Sequence, residues 1–269
     1  MNKPLTPLAN CPIKRTIDKR GRGRIGIRSS ALSLDRYDSD KISNRYLDWY
    51  DPIFEPWVNK KLTLLELGVY KGGSLLLWRD YFPYGTIVGV DINLPKDFEP
   101  TDRIHLFEGS QTDPQFLSRV ANGIAPDGFD IIIDDASHIG ELTKIAFWHL
   151  FENHLKPDGL YAIEDWFTGY FDDWADGKSL DLETYLQPKS TPRLPWLKRV
   201  KRLPPKAPLR CHSHGMVGFV KQLIDEQGAG AATRRVLKGK PRRGSRFESM
   251  LITPGIVFIR KTGCPPRTG

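Results

Sequence analysis

From residue 62 to residue 163 the chain alternates between short apolar runs and longer stretches of mixed character. Leu62-Thr-Leu-Leu-Glu-Leu67, Thr86-Ile-Val-Gly-Val90, Ile104-His-Leu-Phe107, Asp130-Ile-Ile-Ile133 and Leu160-Tyr-Ala-Ile163 are near-continuous apolar runs. Runs of this length predict strands buried on both faces, as in a parallel sheet. Between them lie segments with helical signals. Leu75 to Arg79 opens a helix after a glycine turn. Gln115–Ala121 follows Asp113-Pro114, a cap-then-proline start. A third helix near Gly140–Leu155 carries Ile145, Trp148, His149 and Phe151, and Pro157-Asp-Gly159 is a turn. Before the first strand, Tyr46, Trp49, Tyr50, Phe54 and Trp57 recur at three- and four-residue steps, predicting one helix over 39–58 that covers a ligand. After residue 163 the alternation stops. A helix at 215–226 and a closing hairpin, 250–252 and 256–260 around Pro254-Gly255, complete the pattern. The fold class expected is α/β: a Rossmann-like, doubly wound, mostly parallel sheet with a C-terminal antiparallel hairpin.

The strand ends carry the chemistry. Asp134 and Asp135 close one run and are followed by Ala-Ser-His138, while Glu164-Asp165 closes another. Neighbouring strands would bring both pairs to the carboxyl edge, where ligands bind in such sheets. Close like charges repel unless a cation or a retained proton separates them. Oxygen donors suit a hard cation such as Mg²⁺, and His138 can take a proton near neutral pH. Asp134 and Asp135 also suit the blander role of helix caps. Upstream, Glu66, Gly68, Tyr70, Gly72 and Ser74 form a strand–turn–helix signature for a cofactor. Tyr70 replaces a central glycine, so the full dinucleotide fingerprint is absent. Asp91, twenty-five residues past Glu66, ends the next run where an acid usually grips ribose. Gly109-Ser-Gln-Thr-Asp113 is the third polar loop.

Taken in order, these motifs resemble class I S-adenosylmethionine-dependent methyltransferases. More narrowly they resemble the metal-dependent sugar O-methyltransferases of the macrocin/mycinamicin and rhamnosyl type. Asp134-Asp-Ala-Ser-His138, Ile163-Glu-Asp165 and Ser39-Asp-Lys41 with Tyr46 and Tyr50 carry the resemblance. It implies a seven-stranded sheet, S-adenosyl-L-methionine as cofactor, and Mg²⁺ holding neighbouring sugar hydroxyls. It further implies Asp135, Glu164 and Asp165 as metal ligands and His138 as base. Gly68, Asp91, Ser110, Gln111 and Asp134 would surround the cofactor, with Asp113 beside them. The acceptor expected is a glycosylated natural product or a glycolipid, and relatives often self-associate. Two alternatives stand beside this reading: a nucleic-acid methyltransferase, and a non-methylating relative of the cephalosporin hydroxylase-like group. The Lys-Asp-Lys-Glu arrangement of 2′-O-methylating RNA enzymes is missing, which weighs against nucleic acid.

Charge sharpens the organisation. The net charge of +8 conceals an acidic centre: residues 38–187 carry twelve Lys/Arg against twenty-seven Asp/Glu, and residues 188–246 carry sixteen against two. Residues 1–37, with nine against two, read as a basic, mobile arm before a methyltransferase domain over 38–269. A Pro/Lys/Arg-rich insertion at about 175–210, including Trp196, reads as an acceptor-side element able to touch an anionic membrane surface. Asp172, Asp173 and Asp176 read as a solvated acidic loop, and His105, His149 and His154 as structural. No apolar run approaches the ~18 residues of a membrane span, and the basic start lacks the apolar stretch of a secretory signal. Three unclustered cysteines fit a reducing cytoplasm.

Overall fold

The computed structural model describes residues 28–99, 101–180, 212–234 and 239–263. Its centre is a seven-stranded sheet in the order β3-β2-β1-β4-β5-β7-β6. The strands are β1 (Thr63–Leu67), β2 (Thr86–Asp91), β3 (Ile104–Glu108), β4 (Phe129–Asp134), β5 (Leu155–Glu164), β6 (Phe247–Ile252) and β7 (Ile256–Lys261). The first five pair in parallel, and β7 runs antiparallel to both β5 and β6. The predicted mostly parallel sheet and closing hairpin are both present. The turn at 157–159 lies within β5: pairing to β4 jumps from Phe129↔Leu155 to Ile131↔Leu160, and Asp158 takes a left-handed φ of 60° in the excursion.

Helices cover both faces, which is why the central strands are apolar throughout. On one face Leu65, Ile132, Tyr161 and Ile163 meet Phe147 of α5 (Gly140–Asn153) and Phe219 of α7 (Gly215–Gln227). On the other, Leu64, Ile131, Ile133 and Ala162 meet Tyr50, Phe54, Trp78 and Tyr81. The latter come from α2 (Leu47–Phe54) and α3 (Gly73–Tyr81).

The expected single helix over 39–58 is broken. Asp40–Ser43 forms α1, and Arg45 takes φ 59° before α2 begins. The kink lets Lys41 and the two tyrosines, 46 and 50, reach the same end of the sheet. The arm over 1–37 also differs from expectation in its described part. Arg28 donates to the carbonyls of Tyr81 and Asp80, Ser29 bonds Asp51, and Tyr37 donates to Asp80 Oδ2 at 2.8 Å. Residues 28–37 are therefore part of the packed domain; residues 1–27 lie outside the described ones. So does the 189–206 part of the basic insertion. Its start is described: Ala175–Ser179 forms α6.

Candidate active site

Register fixes which strand-end groups can meet. Glu66 pairs with Ile133, and Ile133 with Ala162. Side chains alternate faces along a strand, so Glu66, Asp135 and Glu164 fall on the α1–α2 side. Asp134 falls on the other side, with Tyr161. Its carboxyl is buried and accepts from the Tyr161 hydroxyl at 3.1 Å. Burial there pushes Asp134 up to about 7. The four carboxylates expected to converge are thus split, and Asp134 does not line the basin that the others share.

At the centre of that basin lies Lys41, 0 % exposed. Its Nζ is 2.5 Å from Asp135 Oδ2, 3.0 Å from Glu164 Oε2 and 3.1 Å from Glu66 Oε1. Burial alone would push this ammonium down; Asp135, Glu164 and Glu66 outweigh it and hold Lys41 well above its ordinary value. Tyr50 donates to Glu164 Oε1 at 2.5 Å and Tyr46 donates to Asp165 Oδ1. Burial pushes the Glu164, Asp165, Glu66 and Asp40 carboxyls up, with Asp135 adding to the shift in each.

Asp135, His138 and Asp165 form the open part of the basin. Their ligand-type atoms all lie within 4.8 Å of one another. His138 Nε2 is 3.7 Å from Asp135 Oδ1 and 3.9 Å from Asp165 Oδ2. Both His138 and Asp165 hold left-handed backbones, φ 52° and 53°. Non-glycine residues rarely adopt this region, and such strain concentrates at functional sites. The Asp165 turn aims its side chain back at His138, and its N–H is anchored on the Gly255 carbonyl at 2.8 Å. The His138 ring meets Trp174 edge-on at 5.2 Å. This donor set fits a hard divalent cation. Two carboxylate oxygens face each other, and one lysine stands against five carboxylates. Glu164 differs from the expected ligand set: both its oxygens are engaged, by Tyr50 and Lys41, and it lies beneath the open cluster.

The expected cofactor residues divide similarly. Gly68 (φ 91°) lies against β4's end, where a Cβ would stand 2.1 Å from the Asp135 carbonyl oxygen. Gly72 (φ 83°) closes the turn, and Tyr70 stands 77 % exposed at its tip. Asp91 Oδ2 accepts from the Val69 and Tyr70 N–H groups at 2.7 and 3.2 Å, so this acid shapes the turn. Gln111 Oε1 accepts from Ser137 N–H at 3.1 Å, while its buried Nε2 has no hydrogen-bond partner among the described residues. A donor left over beside the loop after β4 fits a bound ligand. Ser110 pairs with Thr112 at 2.8 Å.

Four residues make structural contacts. Glu66 is fully buried, pairs with Lys41 and accepts from the Ser74 hydroxyl at 2.8 Å. Asp113 caps α4 (Pro114–Ile124), accepting from Gln115 and Phe116 N–H groups at 3.0 Å. Asp176, read as a solvated loop residue, is buried; its Oδ2 accepts from Gly140 N–H at 2.9 Å and Met216 N–H at 2.7 Å, tying two helix starts together.

No family model matches the chain. Among curated proteins it is similar to the mycinamicin VI 2''-O-methyltransferase of Micromonospora griseorubida, 40 % identical over 152 residues, covering 50 % of this chain and 37 % of that protein. It is 37 % identical over 152 residues to the demethylmacrocin O-methyltransferase of Streptomyces fradiae, covering 50 % and 38 %. A tetracenomycin rhamnosyl 3'-O-methyltransferase of Streptomyces olivaceus is 43 % identical over 133 residues, covering 45 % and 33 %. The chain thus spans little more than a third of these relatives. Among solved structures, the MycE methyltransferase of the mycinamycin pathway, in complex with Mg, SAH and mycinamycin VI, superposes with a TM-score of 0.62 at 28 % identity, over 89 % of this chain and 55 % of that one. The fold is that of a class I S-adenosylmethionine-dependent methyltransferase. Within that class, the resemblance to sugar O-methyltransferases of antibiotic pathways, drawn from the motifs, is borne out.

Proposed function

We propose that this chain carries an S-adenosylmethionine-dependent, Mg²⁺-assisted O-methyltransferase activity acting on a sugar hydroxyl of a glycosylated small molecule. The observation that carries the reading is the meeting of Asp135, His138 and Asp165 at the carboxyl edge, one strand away from the Gly68 turn. Asp135 and Asp165, with Glu164 beneath, would hold the cation. The cation, when bound, supplies positive charge that lowers the pKa of a nearby hydroxyl. His138 Nε2, within 4 Å of both open carboxylates, is placed to take the hydroxyl proton. The oxygen then forms its bond to the methyl carbon as the carbon–sulfur bond breaks, and the electron pair stays on sulfur. Gly68 permits the close backbone approach that a cofactor beside β4 needs, Gln111 Nε2 offers it a donor, and Asp91 sets the turn. Trp174 forms a wall behind His138.

Among the described residues no helix is long and apolar enough to cross a membrane. A nucleic-acid acceptor is not favoured, because the site lies in the acidic centre of the chain, residues 38–187, and would repel a phosphate backbone. The test is calorimetric titration of S-adenosylhomocysteine into metal-stripped protein, repeated with Mg²⁺, followed by methyl transfer to glycosylated macrolide or tetracenomycin-type acceptors. S-adenosylhomocysteine binding and methyl transfer are the expected result, with transfer and metal dependence lost together in Asp135→Ala. Failure of the folded protein to bind S-adenosylhomocysteine in either condition would sink the reading.

A further inference from the structure

Lys41 has no part in the chemistry just described, yet it is a fully enclosed charge in the molecule's acidic centre. It reaches the basin from α1, outside the sheet, and touches the ends of three strands at once: Glu66 of β1, Glu164 of β5, and Asp135 just past β4. The two contacts that matter are directional. Lys41 takes Asp135 Oδ2 and Glu164 Oε2, while Asp135 Oδ1 and Asp165 Oδ2 are the oxygens nearest His138. Tyr46 and Tyr50 take Asp165 Oδ1 and Glu164 Oε1 in the same way. Every inward oxygen of the three acids is thus engaged by a protein donor, and the outward pair is left to the open side.

We propose that Lys41 is a positioning residue. It is a built-in counter-cation that competes with a divalent ion for Asp135 and Glu164 and confines that ion to the oxygens facing His138. The inference rests on the Mg²⁺-assisted reading above. Without Lys41, Glu66, Asp135 and Glu164 would offer a deeper, more negative pocket, and an ion would sink into it, away from the hydroxyl it must activate. Like charges at this range in a buried site repel strongly, so lysine also weakens Mg²⁺ binding in exchange for correct placement.

The experiment measures Mg²⁺ binding by calorimetry and by the Mg²⁺-induced rise in melting temperature, on the full chain and on Lys41→Met and Lys41→Arg. The expected result is a split: Lys41→Met binds Mg²⁺ about tenfold or more tightly, from the removed repulsion, and shows a larger Mg²⁺-induced stabilisation, while kcat falls. Lys41→Arg, which keeps the charge, stays near wild type in affinity. Affinity unchanged or weakened in folded Lys41→Met, with wild type binding Mg²⁺ normally, overturns this proposal and leaves the methyltransferase reading intact. No Mg²⁺ binding by either protein overturns this proposal together with the Mg²⁺-assisted part of the reading above. Binding by Lys41→Met alone overturns the proposal, because the wild-type site then holds no Mg²⁺ for Lys41 to confine. If Lys41→Met does not fold with or without Mg²⁺, the charge-balanced Lys41→Met/Glu66→Gln protein takes its place. Tighter Mg²⁺ binding than wild type supports the proposal there, because Asp135 Oδ2 and Glu164 Oε2 are freed; equal or weaker binding overturns it.

Discussion

The two faces of the sheet end very differently at the carboxyl edge, although the residues that differ are sequence neighbours. On the α1–α2 face, Glu66, Asp135 and Glu164 surround Lys41, and Tyr46 and Tyr50 close the ring. On the α5–α7 face, the buried Asp134 carboxyl accepts from Tyr161 and from the Ala136 backbone, and Tyr161 packs on Phe147 of the aromatic core. One face gathers charges until a cation is the natural remedy; the other isolates a single acid so that holding its proton is the remedy. Carboxylates one residue apart are thus given opposite chemistry by the strand's two-residue period.

The strongest way to break this contrast is at His138, which borders only the first face. His138→Ala should lower kcat by a factor of roughly 10²–10⁴, the usual worth of a positioned general base, with Mg²⁺ affinity nearly unchanged. Loss of Mg²⁺ binding in parallel with kcat would instead make the imidazole a ligand, since its Nε2 lies within reach of the same ion.

A paired substitution sharpens the contrast further. Tyr50→Phe and Tyr161→Phe each remove one hydroxyl from a buried carboxyl, Glu164 in the first case and Asp134 in the second. Each should cost about 1–3 kcal/mol of stability, the penalty of an unsatisfied buried group, read by denaturant unfolding. Only Tyr50→Phe should also change Mg²⁺ affinity. An equal change in Tyr161→Phe would show that the two faces are electrostatically one site.

Much of this was legible beforehand, and the exceptions have particular causes. The strands, the glycine turn and the closing hairpin follow from apolar runs and turn residues, which are local signals. The convergence of Asp135, His138 and Asp165 follows from strand ends plus the carboxyl-edge rule. Alternation alone would have separated Asp134 from Asp135, because Ile131 and Ile133 already set the parity of β4. The helix break at Arg45 was hidden because the aromatic spacing of Tyr46, Tyr50 and Phe54 is the same whether or not α1 joins α2. Lys41 in the basin was not legible from local pattern: its partners lie 25, 94 and 123 positions away, and only the motif resemblance pointed there. Asp176 and Asp113 show the converse. Acids in polar loops look functional or solvated by type, yet here they satisfy the N–H groups that helix starts leave unpaired.

The subtlest test concerns pH and Asp134. Burial raises this carboxyl from 3.8 to about 7, so the folded state binds its proton more tightly than the unfolded chain does. The stability it contributes is present below its ordinary value and is lost as pH rises through about 7. Asp134→Asn keeps an acceptor for Tyr161 and removes the titration. Unfolding free energies of the two proteins, compared from pH 4 to pH 7, should therefore diverge. The wild type should lose up to about 1.4 kcal/mol per pH unit more than the variant, the limit for one proton. The acids around Lys41 are present in both proteins and cancel in the difference. Parallel curves would mean that Asp134 is ionised within an apolar core, and the two faces would then differ in crowding alone, not in how they deal with charge.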